Sequence, residues 1–579
     1  MNTDEKLRAL RAAMKENGVD AVVIPSADPH QSEYTAAHWH ARRWLTGFTG
    51  SAGTAVVTAS MAGLWTDFRY WIQAGAQMDG FELFRQGAAD VPEFQVWLAD
   101  TLKKGSRVAI DGRLVSIDQA KKYRVLLSNK GIELDTSLDL ISDIWVGRPA
   151  MPSGPVSVLD VAYAGKTRTE KLNEIRQLMG QHGAECHLMT ALDDIAWTFN
   201  LRGEDAHTNP VSLAFALVSL NETTLFINPE KLSSQTRSTL EGDGIALADY
   251  GAVDAALADL GGGDTLLLDP EVVSEYLYRQ VNPRVKVIHK RNPATQLKCI
   301  KNEVEIGHIR NTAVKDGCAM VNFFFWLDQE TGPLTEMSVA EKLLEFRKEQ
   351  ADFVKVSFDS IMAFSDHSAM CHYKATKKNN APLTRDGIFL TDSGGNYLTG
   401  TTDITRTVHL GTPSKAQMKD YTLVLKGHIA VATSRFPSGT RGYQIDTLAR
   451  QFLWQQGLDF GHGTGHGVGF YLCVHEGPAR ISPFPVDVAL APGMLLTNEP
   501  GLYREGEYGI RLENMILVSQ DETTDFGPFF KFENITLCHF ERNLMDQSLM
   551  TDAEIQWVNA YHHTVYETLA PALAPDVRE

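Results

Sequence analysis

Four acids and one histidine in the last third of the chain, Asp392, Asp403, Glu499, Glu513 and His466, have the types and settings of ligands for a pair of divalent cations. Gly387 to Asp392 reads as a buried strand ending in an acid, with Ile388, Leu390 and Asp392 on one face by alternation. Turn residues Ser393 to Asn396 and Gly400 follow, and Thr401 to Val408 returns as a β-branched strand bearing Asp403. The offset of the two acids, 403 − 392 = 11 residues, predicts that they face each other across a hairpin. Met494 to Glu499 again ends an apolar run with an acid before a turn, and Gly509 to Val518 is predicted as one strand with Arg511 and Glu513 on one face.

Taken singly, each acid could be a turn former or a strand-end solvating group. Buried together without cations they would be costly, because like charges in a low dielectric cannot all stay ionised. Two divalent ions would neutralise them. Carboxylates with a single imidazole and no thiolate suit manganese, with zinc or cobalt as alternatives. A water shared by two such ions loses a proton near neutral pH and can attack a carbonyl that the same ions polarise, so the chemistry pointed to is hydrolysis of an acyl bond.

The elements that must position these residues fall into three segments. In the first, a helix over about Glu5 to Asn17 leads to a short buried strand at Ala21 to Ile24 and further strands at Thr54 to Thr58 and Gly63 to Thr66. The second repeats this plan with a helix over about Arg168 to His182, then Cys186 to Thr190, Val211 to Ser219 and Thr223 to Ile227, which suggests a weak internal duplication. The proline-rich stretch from Gly147 to Pro155 separates the two. In the third, Ile306, Ile309, Ala313, Gly317, Met320, Phe324 and Leu327 form one face of a long helix. Ser338 with Glu341 is the expected capping box of the next helix. Two further helices, about Lys415 to Arg435 and Gln444 to Gln456, separate the Asp392/Asp403 hairpin from the strands bearing His466, Glu499 and Glu513. Periodicity alone gives an α+β plan for this part.

The chain has 579 residues with 43% hydrophobic and 22% charged, enough for two to four domains with ordinary cores. A formal net charge of −18 argues against nucleic acid or an anionic membrane as partner, and mildly favours substrates with a positive amino terminus. Cys186, Cys299, Cys318, Cys371, Cys473 and Cys538 are scattered, which suits reduced thiols in a cytoplasmic enzyme. No stretch is long and apolar enough to span a bilayer, and the first residues read as an amphipathic helix without a signal core.

The motifs Thr391-Asp392-Ser393-Gly394, Gly400-Thr401-Thr402-Asp403-Ile404-Thr405-Arg406-Thr407, Gly461 to Gly469, Val474-His475-Glu476-Gly477-Pro478, Asn498-Glu499-Pro500-Gly501 and Gly509 to Asn514 together resemble the signature of the pita-bread metallopeptidases. Within that family the chain is most similar to the long, three-domain aminopeptidase P group. His30 to Tyr34, Gly47 to Gly53, Ile195 to Gly203, Asn209-Pro210 and Phe526 to Glu533 extend the likeness nearly end to end. The resemblance implies an α/β and α+β multidomain fold: two related creatinase-like α/β domains, residues 1–152 and 153–295, then a pita-bread α+β catalytic domain, 296–579. It implies hydrolysis of the bond between a first residue and a following proline, and a homodimer. Asp403 and Glu513 would bridge both metals, Asp392 would bind one, His466 and Glu499 would complete the other, and Glu499 would carry the proton to the leaving nitrogen.

His372 and His475 match family positions that stabilise the tetrahedral intermediate or place the substrate, and His462 matches one beside the proline pocket; any of the three could instead be a hydrogen-bonded structural histidine. Arg511 either orients carboxylates or makes a purely structural ion pair. The alternating glycines of Gly461 to Gly469 lack a following Lys-Ser/Thr, so close backbone approach to the metal site is expected rather than a phosphate loop. The chain departs from the family pattern at Lys374-Ala375 and in the polar run Lys377 to Asn380, near the expected substrate entrance. The alternatives to an aminopeptidase are a prolidase, restricted to dipeptides, and a metal-free pita-bread binding protein. The duplicated first half and the full ligand set speak against them.

Overall fold

A computed structural model describes residues 1–578. By chain contacts they divide into two compact units, residues 1–160 with 166–296, and residues 161–165 with those from 297 onward.

The first unit contains two six-stranded mixed sheets. The strands of the first are β1 (Ala21–Pro25), β2 (Thr54–Thr58), β3 (Ala62–Thr66), β4 (Glu82–Arg85), β5 (Arg107–Ile110) and β6 (Glu133–Asp135), in the order β4-β3-β2-β1-β5-β6. Those of the second are β7 (Cys186–Met189), β8 (Ala214–Ser219), β9 (Thr223–Ile227), β10 (Ile245–Ala248), β11 (Thr265–Leu268) and β12 (Lys286–His289), in the order β10-β9-β8-β7-β11-β12. Strand for strand the directions also agree. β1 runs antiparallel to β2 and parallel to β5, and β7 runs antiparallel to β8 and parallel to β11. The duplication read from the sequence is therefore a repeated topology. A helix opens each copy: α1 (Thr3–Glu16) has an Asn2/Glu5 capping box, and α2 (Arg168–Gln181) has one made by Thr167 and Glu170.

The second unit begins with α3 (Glu303–Gln329), whose predicted apolar face from Ile306 to Leu327 is buried. Gly317 sits at its middle because a Cβ there would come within 2.5 Å of the Leu537 carbonyl oxygen. The next helix, α4 (Glu336–Lys348), departs from expectation. Its box is Thr335 with Ser338, not Ser338 with Glu341, so the helix starts earlier and its first residue, Glu336, turns fully inward.

Three strands follow, β13 (Ile361–Phe364), β14 (Ile388–Ser393) and β15 (Ile404–His409), paired in that order. Alternation divides their side chains. Met362, Phe364, Phe389, Ile404 and Val408 pack against Met320, Phe323, Phe324, Val339 and Leu343 from the two helices, each large apolar side chain stabilising by roughly 1.5–3 kcal/mol. Leu390 and Asp392 therefore point to the opposite face, with Thr405 and Thr407.

Beyond α5 (Lys415–Ala432) lie β16 (Arg435–Pro437), α6 (Gly442–Trp454), β17 (Gly465–Gly467), β18 (Glu476–Ile481) and β19 (Leu495–Asn498). The hairpin of β20 (Gly501–Arg504) and β21 (Tyr508–Arg511), the long β22 (Asn514–Thr524) and β23 (Gly527–Asn534), and α7 (Asp552–Leu569) complete the unit. A six-stranded sheet runs β16-β23-β22-β19-β17-β18. The predicted single strand from Gly509 to Val518 is broken: Leu512 and Glu513 lie between β21 and β22, their amides donating to Pro500 and Thr405 carbonyls at 3.2 and 3.1 Å. No helix among the described residues is long and apolar enough to cross a membrane, and all six cysteines are buried, none of them in a disulfide.

Candidate metal centre

Strand register sets the first pair of acids. Asp392 of β14 lies opposite Thr405 of β15, not opposite Asp403. Asp403 precedes Thr405 by two positions, so the pleat puts both on the face that carries Asp392. The acids are thus diagonal neighbours, and Thr405 fills the position between them. Its Oγ1 donates to Glu513 Oε2 at 2.8 Å and accepts from Arg511 Nε at 3.1 Å. The break between β21 and β22 lets Glu513 turn in beside this pair.

From the other sheet comes His466, on β17. Its Nδ1 lies 2.9 Å from the Gly467 carbonyl oxygen, which can only accept, so the proton is on Nδ1 and the Nε2 lone pair faces inward. Nε2 is 3.5 Å from Asp403 Oδ2 and 3.6 Å from Glu499 Oε1. Glu499 follows β19, and its amide donates to Thr464 at 2.7 Å. Donor atoms of Asp403, His466 and Glu513 all lie within 4.8 Å of one another.

Burial makes this crowding expensive. Asp403 is 4% and Glu513 1% exposed. Desolvation, followed by the charges of Glu513, Asp392 and Glu499, holds the Asp403 carboxyl well above the usual carboxylate range. Desolvation and then Asp392 push Glu513 up to about 7. The Arg511 guanidinium offsets part of this charge at contact distance: it donates to Asp392 Oδ2 at 2.5 Å and lies 4.0 Å from Glu499 Oε2. Asp392 Oδ1 is buried without a hydrogen-bond partner. An orphaned carboxylate oxygen, inward-facing acids and an imidazole with its lone pair exposed to them fit hard or borderline divalent cations.

His475 and His462 reach the cluster through His466 and through Tyr503 with Arg511. The His475 ring meets that of His466 edge to face at 4.4 Å. His462 Nε2 is 2.8 Å from the Tyr503 hydroxyl, which also accepts from Arg511 Nη1 at 2.7 Å. His372 is half-buried between the buried Cys371 and Tyr373, and the Cys371 thiol lies close enough to act on both Arg511 and Tyr503. Sequence reasoning missed Thr405 and Tyr503. Thr405 could have been found by the two-residue alternation from Asp403; nothing local marks Tyr503.

Two glycines of the Gly461 to Gly469 run, those flanking His466, make room for neighbouring backbone. A Cβ on Gly465 would lie 1.9 Å from the Thr497 carbonyl oxygen, and one on Gly467 would lie 2.4 Å from that of Glu476.

Comparison with known proteins places this geometry in context. Residues 307–520 match the model of metallopeptidase family M24, 528–579 that of the C-terminal region of peptidase M24, and 6–142 and 147–305 two models of creatinase/prolidase N-terminal domains. The chain is 40% identical to a probable Xaa-Pro aminopeptidase P of Botryotinia fuckeliana (strain B05.10), over 98% of this chain and 90% of the relative. It is also 40% identical to one of Sordaria macrospora, over 98% and 96%. Among solved structures it is similar to the X-prolyl aminopeptidase of Caenorhabditis elegans, described as a cytosolic enzyme with a di-nuclear active site. That likeness has a TM-score of 0.96 and 34% identity, covering 100% of this chain and 98% of the other.

Proposed function

The chain belongs to metallopeptidase family M24, and on that premise we propose that it is a metal-dependent aminopeptidase that releases the first residue of peptides whose second residue is proline. The observation that carries this reading is the buried convergence of Asp403, His466 and Glu513 to within 4.8 Å, in a chain similar throughout its length to Xaa-Pro aminopeptidases.

In this reading Asp392, Asp403, His466, Glu499 and Glu513 hold two divalent cations, with manganese favoured by the carboxylate-rich set and zinc or cobalt as alternatives. When bound, such ions polarise a carbonyl and acidify water. Glu499, at the edge of the cluster with a side chain 19% exposed, accepts the proton of the attacking water and returns it to the leaving nitrogen. Arg511 fixes the orientation of Asp392. His372 and His475 donate to the substrate carbonyl as charge develops on its oxygen. His462, held by Tyr503, borders the proline ring. Proline itself matters because it offers no N–H and fixes φ, so peptidases that grip that amide fail on it.

We take residues 1–152, 153–295 and 296–579 as the three functional domains, supported by the two matching sheets in the first half. A cytoplasmic location and a homodimer belong to the same reading, the first supported by the description of the nematode protein as cytosolic. The test is purified protein loaded with manganese and offered Xaa-Pro-Yaa tripeptides beside Xaa-Pro dipeptides. Release of the first residue from tripeptides is expected. Cleavage confined to dipeptides would make it a prolidase, and no turnover with any divalent ion would overturn a catalytic role.

A further inference from the structure

Glu336, the first residue of α4, is a carboxylate with 0% exposure, and its donors include no lysine or arginine. Instead, Oε1 accepts from the Phe364 amide at 2.9 Å and from His367 Nδ1 at 2.8 Å. Oε2 accepts from the Tyr373 hydroxyl at 2.6 Å and from the Ala381 amide at 2.8 Å. The Glu336 amide donates back to the Ala381 carbonyl at 3.1 Å. These donors stand at the start, the middle and the end of one segment, residues 364–381. Between them runs a loop without regular strand or helix apart from the short turn Ser365–Ala369, and that loop carries His372.

Each contact restrains a different part of the loop. The His367 ring stacks on Tyr373 at 4.5 Å, and Tyr373 packs with Ile361, Ala363 and Leu390, the face of the sheet that ends in Asp392. On the far side, Ser368 Oγ accepts from the Gly509 amide at 2.6 Å, and a Cβ on Gly509 would lie 1.9 Å from the Ser368 carbonyl oxygen. The loop is therefore held between Glu336 and β21, the strand that carries Arg511. His372 is half-buried between two buried neighbours, Cys371 and Tyr373, so the loop is anchored on both sides of it.

We propose that Glu336 is a positioning residue for His372, fixing through Tyr373, His367 and the Ala381 amide the height at which that imidazole meets the substrate. The proposal rests on the reading of His372 as a residue that touches substrate. A carboxylate is needed because it offers acceptors alone. A glutamine of the same size would present its NH2 either to Phe364 and His367 or to Tyr373 and Ala381, leaving at least one buried backbone donor facing another donor.

The experiment combines Glu336→Gln with His372→Ala in a double-mutant cycle on the manganese-loaded enzyme, together with hydrogen exchange of residues 365–381. Glu336→Gln is expected to lower kcat on Xaa-Pro-Yaa peptides at least tenfold with KM within twofold and both metals retained. In the His372→Ala background the same change should cost less than twofold. Exchange in the 365–381 segment should rise while that of β14 and β15 stays fixed. Tyr373→Phe, which removes the hydroxyl shared between Glu336 and the Asn379 carbonyl oxygen and leaves the other three donors to Glu336, should give the same pattern with a smaller loss. An equal loss in both backgrounds, loss of a metal, or unchanged exchange would overturn the proposal. An inactive wild type would count against the proposed activity instead, and the exchange measurement would still decide whether Glu336 holds the loop.

Discussion

Arg511 Nη2 donates to Asp392 Oδ2 at 2.5 Å from a guanidinium that is 2% exposed, and its other two nitrogens bond to Thr405 and Tyr503. Three bonds in three fixed directions are what a planar fork supplies and an ammonium does not. Removing one partner of a buried pair costs roughly 3–5 kcal/mol because the other charge is left uncompensated. Arg511→Ala is therefore expected to lose roughly 100-fold or more in kcat/KM and to bind less metal, with Arg511→Lys recovering little. Steady-state kinetics with metal analysis check this; a lysine variant close to wild type would show that only the charge matters.

Thr405 links the two halves of the cluster, donating to Glu513 and accepting from Arg511. Valine keeps its shape and removes the oxygen. Losing a partner that orients a metal ligand typically costs about 10–100-fold in metal affinity. Thr405→Val should show that loss by calorimetry, together with a lower melting temperature of the metal-free protein because Arg511 Nε and Glu513 Oε2 each lose a buried partner. Affinity equal to wild type would mean that Glu513 needs no such support.

Tyr503 connects His462 to Arg511. His462 Nδ1 lies 2.7 Å from the Gly463 carbonyl oxygen and so carries the proton, leaving Nε2 to accept from the Tyr503 hydroxyl. That hydroxyl in turn accepts from Arg511. Tyr503→Phe strands both partners, at about 1–3 kcal/mol for each buried polar group left unpaired. The expected result is a fall of about tenfold or more in kcat/KM with both metals retained. Parallel metal loss would place Tyr503 among the supports of the ligands instead.

The acids could be read from sequence because each ends an apolar run, and a buried strand that stops at a carboxylate is a local signal. Their mutual placement could not. The 11-residue offset suggested Asp392 opposite Asp403, but the turn after Tyr397, with Tyr397 opposite Gly400 and Asn396 opposite Thr401, sets a register in which Thr405 takes that position. Glu513 was expected within a continuous strand, and the break there follows from its amide bonding to Thr405, a contact 108 residues distant in sequence. Thr335 and Ser338 outcompeted Ser338 and Glu341 as a cap because Glu336 is drawn inward by four donors from residues 364–381. Non-local hydrogen bonds thus decided each place where local pattern failed, whereas the repeated first-half plan, which depends on local periodicity, was visible from sequence.

Metal and protons compete for the same oxygens. In the metal-free protein desolvation, then Asp392, raises Glu513 from 4.5 to about 7, and Asp403 is raised as well by desolvation and then by Glu513. A carboxyl whose folded pKa lies above its unfolded one stabilises the fold in its protonated form. That contribution is fully present below about pH 4.5 and is lost as pH rises through about 7. Cations bind the ionised form and remove the repulsion that raised these values. The gain in melting temperature on adding manganese to chelator-treated protein should therefore grow from pH 5 to pH 8, and the apparent metal affinity should fall as pH drops below about 7. Comparing the difference between loaded and metal-free melts at each pH isolates this term from histidines such as His428, which burial holds down to about 3. A metal-induced gain that is flat across that range would mean that the buried acids are already ionised before the cations arrive.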